Sequence, residues 1–258
     1  RFCQAGYIAR PTRQRSPEQV LRLADVGLRS TGHESIGFLS LSSGDYGCLN
    51  PLLEDFFKRY DAEKISVGLP SLRTETLTPQ LASEIRRVRK SGFTIAPEAG
   101  SARMRRVINK GNDEQDLLNA VRATFGAGWD LIKMYFMIGL PTETDDDVAA
   151  IADLAKHALD VGRSMNRRAR VTAAVSTFAP KPMTPFQWCR QIGIEETRDK
   201  QNLLLRAFKG SRVDFKRHDA PQTLIEGVLS RGDRRVGRAI LLMHERGGRF
   251  DGWTEYFS

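Results

Sequence analysis

Short runs of apolar, β-branched and aromatic residues alternate with helical segments along most of this chain. Residues 35–41, 64–69, 92–96, 131–138 and 170–178 read as strands, and residues 49–60, 79–91, 113–126, 145–161 and 195–208 as the helices that come after them. A strand, a helix and a second strand in that order form a right-handed crossover, which builds a parallel sheet with its helices outside. The expected fold is therefore α/β, a partial (βα)6 TIM-like barrel over residues 1–215. Five strands are clear, a first strand before residue 1 would make six, and residues 212–216 offer a short extra one. Residues 216–258 read as a C-terminal helical extension packed on the barrel, amphipathic around Leu224, Val228, Ala239, Ile240 and Leu241. Two helix starts are marked locally. Ser16 before Pro17 places a capping hydroxyl ahead of a proline at the first helical position. Thr144, with Asp147 three residues on, makes a capping box.

Composition narrows the class. Of 258 residues, 40% are hydrophobic and 28% charged, which excludes wholesale disorder and a fibrous chain. No apolar run approaches the ~20 residues of a membrane-spanning helix, and the stretch at 131–140 is broken by Lys133. Three cysteines, at 3, 48 and 189, are too scattered for a disulfide framework, so a reducing, cytoplasmic setting is expected. The chain opens on Arg1-Phe2-Cys3 with no lead into structure and is expected to be part of something longer. Its net charge of +9 is uneven: +7 over residues 1–110, −3 over 111–199 and +5 over 200–258. That balance favours anionic partners such as nucleic acid or a phosphate-bearing substrate; the alternative is simply a solvated basic surface.

In parallel α/β folds, ligands bind beyond the carboxyl ends of the strands. Five segments here come directly after strands: Ser42-Ser43-Gly44-Asp45, Pro70-Ser71-Leu72-Arg73, Pro97-Glu98-Ala99-Gly100-Ser101, Gly139-Leu140-Pro141-Thr142-Glu143-Thr144, and the loop from Ala179 to Phe186. Each alone is an ordinary turn, rich in Gly, Pro, Ser and Thr. Together, at one mouth of a barrel, they suggest a pocket for a polar small molecule.

In this order the segments resemble the core of radical S-adenosylmethionine (radical SAM) enzymes. Phe2-Cys3 resembles the last two positions of that superfamily's Cys-x3-Cys-x-aromatic-Cys loop, whose first two cysteines would precede Arg1. Ser42-Ser43-Gly44-Asp45 is similar to its Gly-Gly-Glu segment, with Asp45 in place of the glutamate. The 97–101 segment with Asn109-Lys110 resembles the fourth-strand segment. The 139–144 segment resembles the fifth-strand exit of the subgroup that holds methylthiotransferases and cobalamin-dependent members. The start at Phe2-Cys3-Gln4-Ala5-Gly6, the loop through Pro185-Phe186-Gln187-Trp188 and the tail Ser230-Arg231-Gly232-Asp233-Arg234-Arg235 look most like an uncharacterised family. That family typically carries a cobalamin-binding-type domain before its radical SAM core.

The resemblance implies a four-iron, four-sulfur cluster, with Cys3 as the one ligand present, and S-adenosylmethionine chelated at the open iron. Reductive cleavage would give a 5′-deoxyadenosyl radical that abstracts a substrate hydrogen, the hard chemistry belonging to the cofactor. It also implies an electron donor such as a flavodoxin or ferredoxin, and cobalamin through a domain outside these residues. RNA modification and methyl or methylthio transfer are the reactions it suggests. Cofactor contacts would fall to Phe2 beside the adenine, to Ser42, Ser43, Gly44 and Asp45, to Glu98 at the ribose, and to Ser101, Lys110, Gly139 and Pro141. Lys110 or one of Arg103, Arg105 and Arg106 would meet the cofactor carboxylate. Alternatives stay open for each residue: core packing for Phe2, a surface pair with Arg103 for Glu98, a helix cap for Ser101. Cys48 and Cys189 have the wrong spacing for the cluster loop.

Lys133 is a charge within an apolar strand and must be paired or face the barrel interior, with Tyr135 on the same face. Both are candidate catalytic residues. Two other functional classes compete: an α/β-barrel lyase using Lys133 as a Schiff-base nucleophile, and a non-catalytic nucleic-acid-binding module with a basic rim.

Overall fold

A computed structural model describes residues 1–40, 42–69 and 93–248. The turn expected at 70–73 and the helix expected at 79–91 lie outside those residues. The chain order begins with α1 (Ala5–Ile8), α2 (Pro17–Thr31), β1 (Ser35–Gly37), α3 (Leu49–Tyr60) and β2 (Ser66–Gly68). It continues with β3 (Phe93–Glu98), α4 (Ala102–Val107), α5 (Glu114–Gly126), β4 (Leu131–Ile138), α6 (Asp145–Met165), β5 (Arg170–Thr177), α7 (Ile194–Phe208) and β6 (Asp214–Arg217). Two helices close the described chain, α8 (Ala220–Arg231) and α9 (Val236–Glu245).

The fold is α/β with parallel sheets, as the alternation implies. β1 pairs with β2, and β3, β4, β5 and β6 form a parallel sheet in chain order. Alternation within β4 explains its sidedness. Ile132, Met134, Phe136 and Ile138 are buried, against the inward faces of α5 and α6 that carry Leu117, Val121, Ile151 and Ala155. Burying each such side chain contributes roughly 1.5–3 kcal/mol relative to leaving it in water. The apolar core runs on without a break to Leu21, Leu53, Phe56 and Val67, beside the first two strands. No helix among the described residues is long and apolar enough to cross a membrane.

Several boundaries differ from expectation. β2 starts at Ser66 rather than 64, because Lys64 takes a left-handed turn with φ +54° after α3. β3 runs on to Glu98 through Pro97, at a register shift against β4 that absorbs the missing N–H. β6 spans the boundary expected between barrel and extension. Both expected caps form: Ser16 with Gln19, and Thr144 with Asp147.

Candidate cofactor site at the strand ends

Three strands of the larger sheet end side by side, and the segments just beyond them pack together. Ala99 beyond β3, Leu140 beyond β4, and Phe178 and Phe186 beyond β5 join Met104 and Ile108 of α4 and its C-terminal turn in a small apolar cluster separate from the main core. Phe2 is half-buried against the same cluster. The N-terminal segment lies across this mouth. The backbone nitrogen of Arg1 donates to the Ile108 carbonyl (2.8 Å), and Gln4 Nε2 donates to the Pro182 carbonyl (3.2 Å). Cys3, between them, is exposed.

The backbone here is strained. Glu98 (φ +68°), Gly139 (φ +77°), Thr142 (φ +66°) and Met183 (φ +64°) are all left-handed, one or more at or beyond the end of each of the three strands. Such residues cost about 1–3 kcal/mol each for non-glycine types and persist only where their surroundings over-determine them. Glycine suits position 139 by its left-handed backbone, and a Cβ there would also lie 2.6 Å from the end of the Ile192 side chain, which would have to move.

Glu98 is largely buried and faces Lys110, whose Nζ is 3.6 Å away. Burial pushes the Glu98 carboxyl above its ordinary range, and Lys110 opposes the shift. The alternative partner, Arg103, is committed elsewhere. It forms an ion pair with Asp147 and donates to the Thr142 carbonyl (2.7 Å). Ser101 Oγ caps α4 at Met104 N (3.1 Å) and donates to Asp147 Oδ1 (2.6 Å). Asp147 also accepts from the backbone nitrogen (2.9 Å) and hydroxyl (2.8 Å) of Thr144. Burial alone would raise the Asp147 carboxyl, but these bonds outweigh it and hold it far below the usual carboxylate range. Asp147 thus ties the segment after β3 to the segment after β4.

A second tie went unrecognised in the sequence. Glu143 accepts from the Gly139 backbone nitrogen (2.8 Å) and pairs with Lys200 of α7 (3.2 Å), their side chains 4% and 11% exposed. Burial raises the Glu143 carboxyl, and the Gly139 N–H and Lys200 oppose it. The local hint was a carboxylate four residues after a glycine; its lysine partner carried none.

The remaining candidates fall in two other places. Ser42 to Asp45 form a turn beyond the carboxyl end of β1, where Ser42 Oγ is buried without a partner among the described residues. Lys133 and Tyr135 lie on the face of β4 opposite the helices, both exposed. Their row neighbours are Thr94 and Thr172 for Lys133, and Ala174 for Tyr135. Thr172 donates to Asp214 (3.3 Å), so this open face of the sheet is polar. Lys133 is the third residue of the strand, and at about 3.3 Å per residue it sits roughly 20 Å below Gly139. It is solvated, which removes the desolvated setting that a Schiff-base lysine needs. A cleft of about 480 Å³ opens between Asp25, Arg29, His33, Glu34, Tyr60 and Glu63, before the amino ends of β1 and β2 and so not at their carboxyl ends. No three His, Cys, Asp or Glu side chains among the described residues converge to hold a metal ion.

Comparison with known proteins gives this geometry a family. Residues 1–155 match the radical SAM superfamily. The chain belongs to that superfamily. It is 30% identical over 246 residues to an uncharacterised protein of Methanocaldococcus jannaschii, a match covering 93% of this chain and 51% of that one. The chain therefore spans about half the length of the curated relative it matches. Among solved structures it is similar in fold to Streptococcus suis SuiB bound to S-adenosylmethionine, with a TM-score of 0.53 and 9% identity over 81% of this chain and 45% of that one. It is likewise similar to HydG, a maturase of the [FeFe]-hydrogenase, with a TM-score of 0.50 and 13% identity over 86% of this chain and 50% of that one.

Proposed function

We propose that the strand ends bind S-adenosylmethionine and that the complete protein is a radical SAM enzyme abstracting hydrogen from a substrate held against the open face of the sheet. The observation that carries this reading is Glu98: a buried carboxylate in a strained conformation at the end of β3, facing a lysine. A carboxylate accepts only, which suits the two hydroxyls of a ribose.

The residues present fit that cofactor. Ser42 Oγ, beyond β1, is a buried hydroxyl without a partner among the described residues, and an ammonium group, being all donor, needs such an acceptor. Of the four candidate cations for the cofactor carboxylate, Arg103 and Arg105 are engaged with other protein groups, which leaves the exposed Arg106 and the half-buried Lys110, the latter already facing Glu98 at 3.6 Å. The apolar cluster around Phe2, Leu140 and Phe178 supplies a wall that excludes water. The iron–sulfur cluster of this family, which supplies the electron that splits the sulfonium, needs a set of thiolates of which the described residues offer Cys3. Cys48 lies at the start of α3, and Cys189 packs on the apolar cluster. The positive balance of residues 1–110 and 200–258 favours an anionic substrate such as RNA, with methyl or methylthio transfer as the reaction.

The test uses the complete protein, reconstituted anaerobically with iron and sulfide. Given S-adenosylmethionine and a strong reductant, it is expected to release 5′-deoxyadenosine. Cys3→Ala is expected to abolish that product and Cys48→Ala to leave it unchanged. Equal yields from the Cys3 variant and the wild type would contradict the assignment.

A further inference from the structure

The turn directly after Glu98 is held from beneath by a charged side chain buried in the protein. Arg105 of α4 is 1% exposed, among the largest fully buried side chains. Its Nη1 donates to the carbonyls of Ala99 (3.2 Å) and Gly100 (2.7 Å), the two residues next to Glu98 in the chain. Its Nε and Nη2 have no hydrogen-bond partner among the described residues. Asp113 and Glu114 at the start of α5 are the acids that act on it, at a distance beyond an ion pair. Burial draws the guanidinium below its ordinary pKa.

An apolar side chain of similar volume would fill this space without desolvating a charge, but it would leave the Ala99 and Gly100 carbonyls without their buried donor. The guanidinium therefore does more here than fill space: it satisfies both carbonyls of the turn that follows Glu98. We propose that Arg105 is a positioning residue: by gripping the Ala99 and Gly100 carbonyls it fixes Glu98 in the left-handed conformation that presents its carboxylate to the cofactor. This rests on the reading that Glu98 binds S-adenosylmethionine. Gly100 and Ser101 hold the same turn from its other side. Gly100 lies flush against α6, where a Cβ would come within 2.2 Å of the Ile151 nitrogen, and Ser101 is tied to Asp147.

A double-mutant cycle separates positioning through Glu98 from general support. The readout is the affinity of the complete protein for S-adenosylhomocysteine, which shares the ribose and adenine, measured by calorimetry. Glu98→Gln and Arg105→Met are each expected to weaken binding about tenfold, the size of a lost hydrogen bond to a charged group. The double variant should be no weaker than Glu98→Gln, because residues acting through one another are non-additive. An Arg105→Met loss that persists in full on the Glu98→Gln background, or no loss at all, would overturn the proposal. If Arg105→Met does not fold, Arg105→Lys decides: any loss it causes must vanish on the Glu98→Gln background, and one that persists overturns it. Unchanged binding in Glu98→Gln alone would instead remove the cofactor reading itself.

Discussion

Asp147 shows how much a single carboxylate can organise at a strand-end site. It accepts from Ser101, Arg103 and Thr144, so one side chain fixes two segments that border the mouth. Replacing it with asparagine leaves one accepting oxygen in place of two and removes the charge from several hydrogen bonds, and a loss of about 2–3 kcal/mol is expected in urea denaturation. The pH dependence comes from its depressed pKa. The stabilisation is complete above the ordinary carboxylate value of about 3.9 and is lost as pH falls further toward the folded-state value. Wild type should therefore lose more stability than Asp147→Asn between about pH 4 and pH 2. Half of this arrangement is legible in the sequence. The Thr144–Asp147 box is local and can be read from spacing. Ser101 and Arg103 reach the same carboxylate from 46 and 44 residues away, and no local pattern announces that. The same limit explains why Arg103, one alternative partner for Glu98 in the sequence, proves to be held by Asp147.

At the level of elements, the strands and helices with strong periodicity are legible and the short ones are not. β4 occupies residues 131–138 as its alternation predicts, and α3 occupies 49–60. β1 and β2 shrink to three residues each. α4, six residues with three arginines, has too little apolar periodicity to stand out, yet it supplies Arg103 and Arg105. Elements are also joined by charges that spacing does not reveal. The Glu143–Lys200 pair couples the β4 exit to α7, with both side chains nearly enclosed. Lys200→Met leaves a buried carboxylate with backbone donors alone and is expected to destabilise by about 3 kcal/mol at pH 7. Since burial raises the Glu143 carboxyl, protonation should relieve that loss as pH falls. A thermal melt series from pH 7 to about pH 5 checks both parts, and a loss that stays constant across it would contradict a buried, charged Glu143.

Among the described residues, the larger sheet presents one face to helices and carries Thr94, Lys133, Tyr135 and Thr172 on the other, with the N-terminal segment lying across the strand ends. The order of strand-end segments carried the family resemblance, and the matched region, residues 1–155, contains the Phe2-Cys3, 42–45, 97–101 and 139–144 segments. What order alone did not separate is depth. Lys133 and Tyr135 share the exposed face of β4 but lie below the strand ends, whereas Glu98 is the last residue of β3. The proposed cofactor binding at the mouth turns on that carboxylate, and its sharpest test is an equilibrium titration of S-adenosylmethionine into the complete protein across pH. Because the Glu98 carboxyl is raised by burial, wild-type affinity should weaken as pH falls from about 7 to 5, above the ordinary glutamate range near 4.3. Glu98→Gln should bind about tenfold more weakly at pH 7.5 and show no such dependence. Wild-type affinity in Glu98→Gln at pH 7.5 would rule out Glu98 as the ribose acceptor.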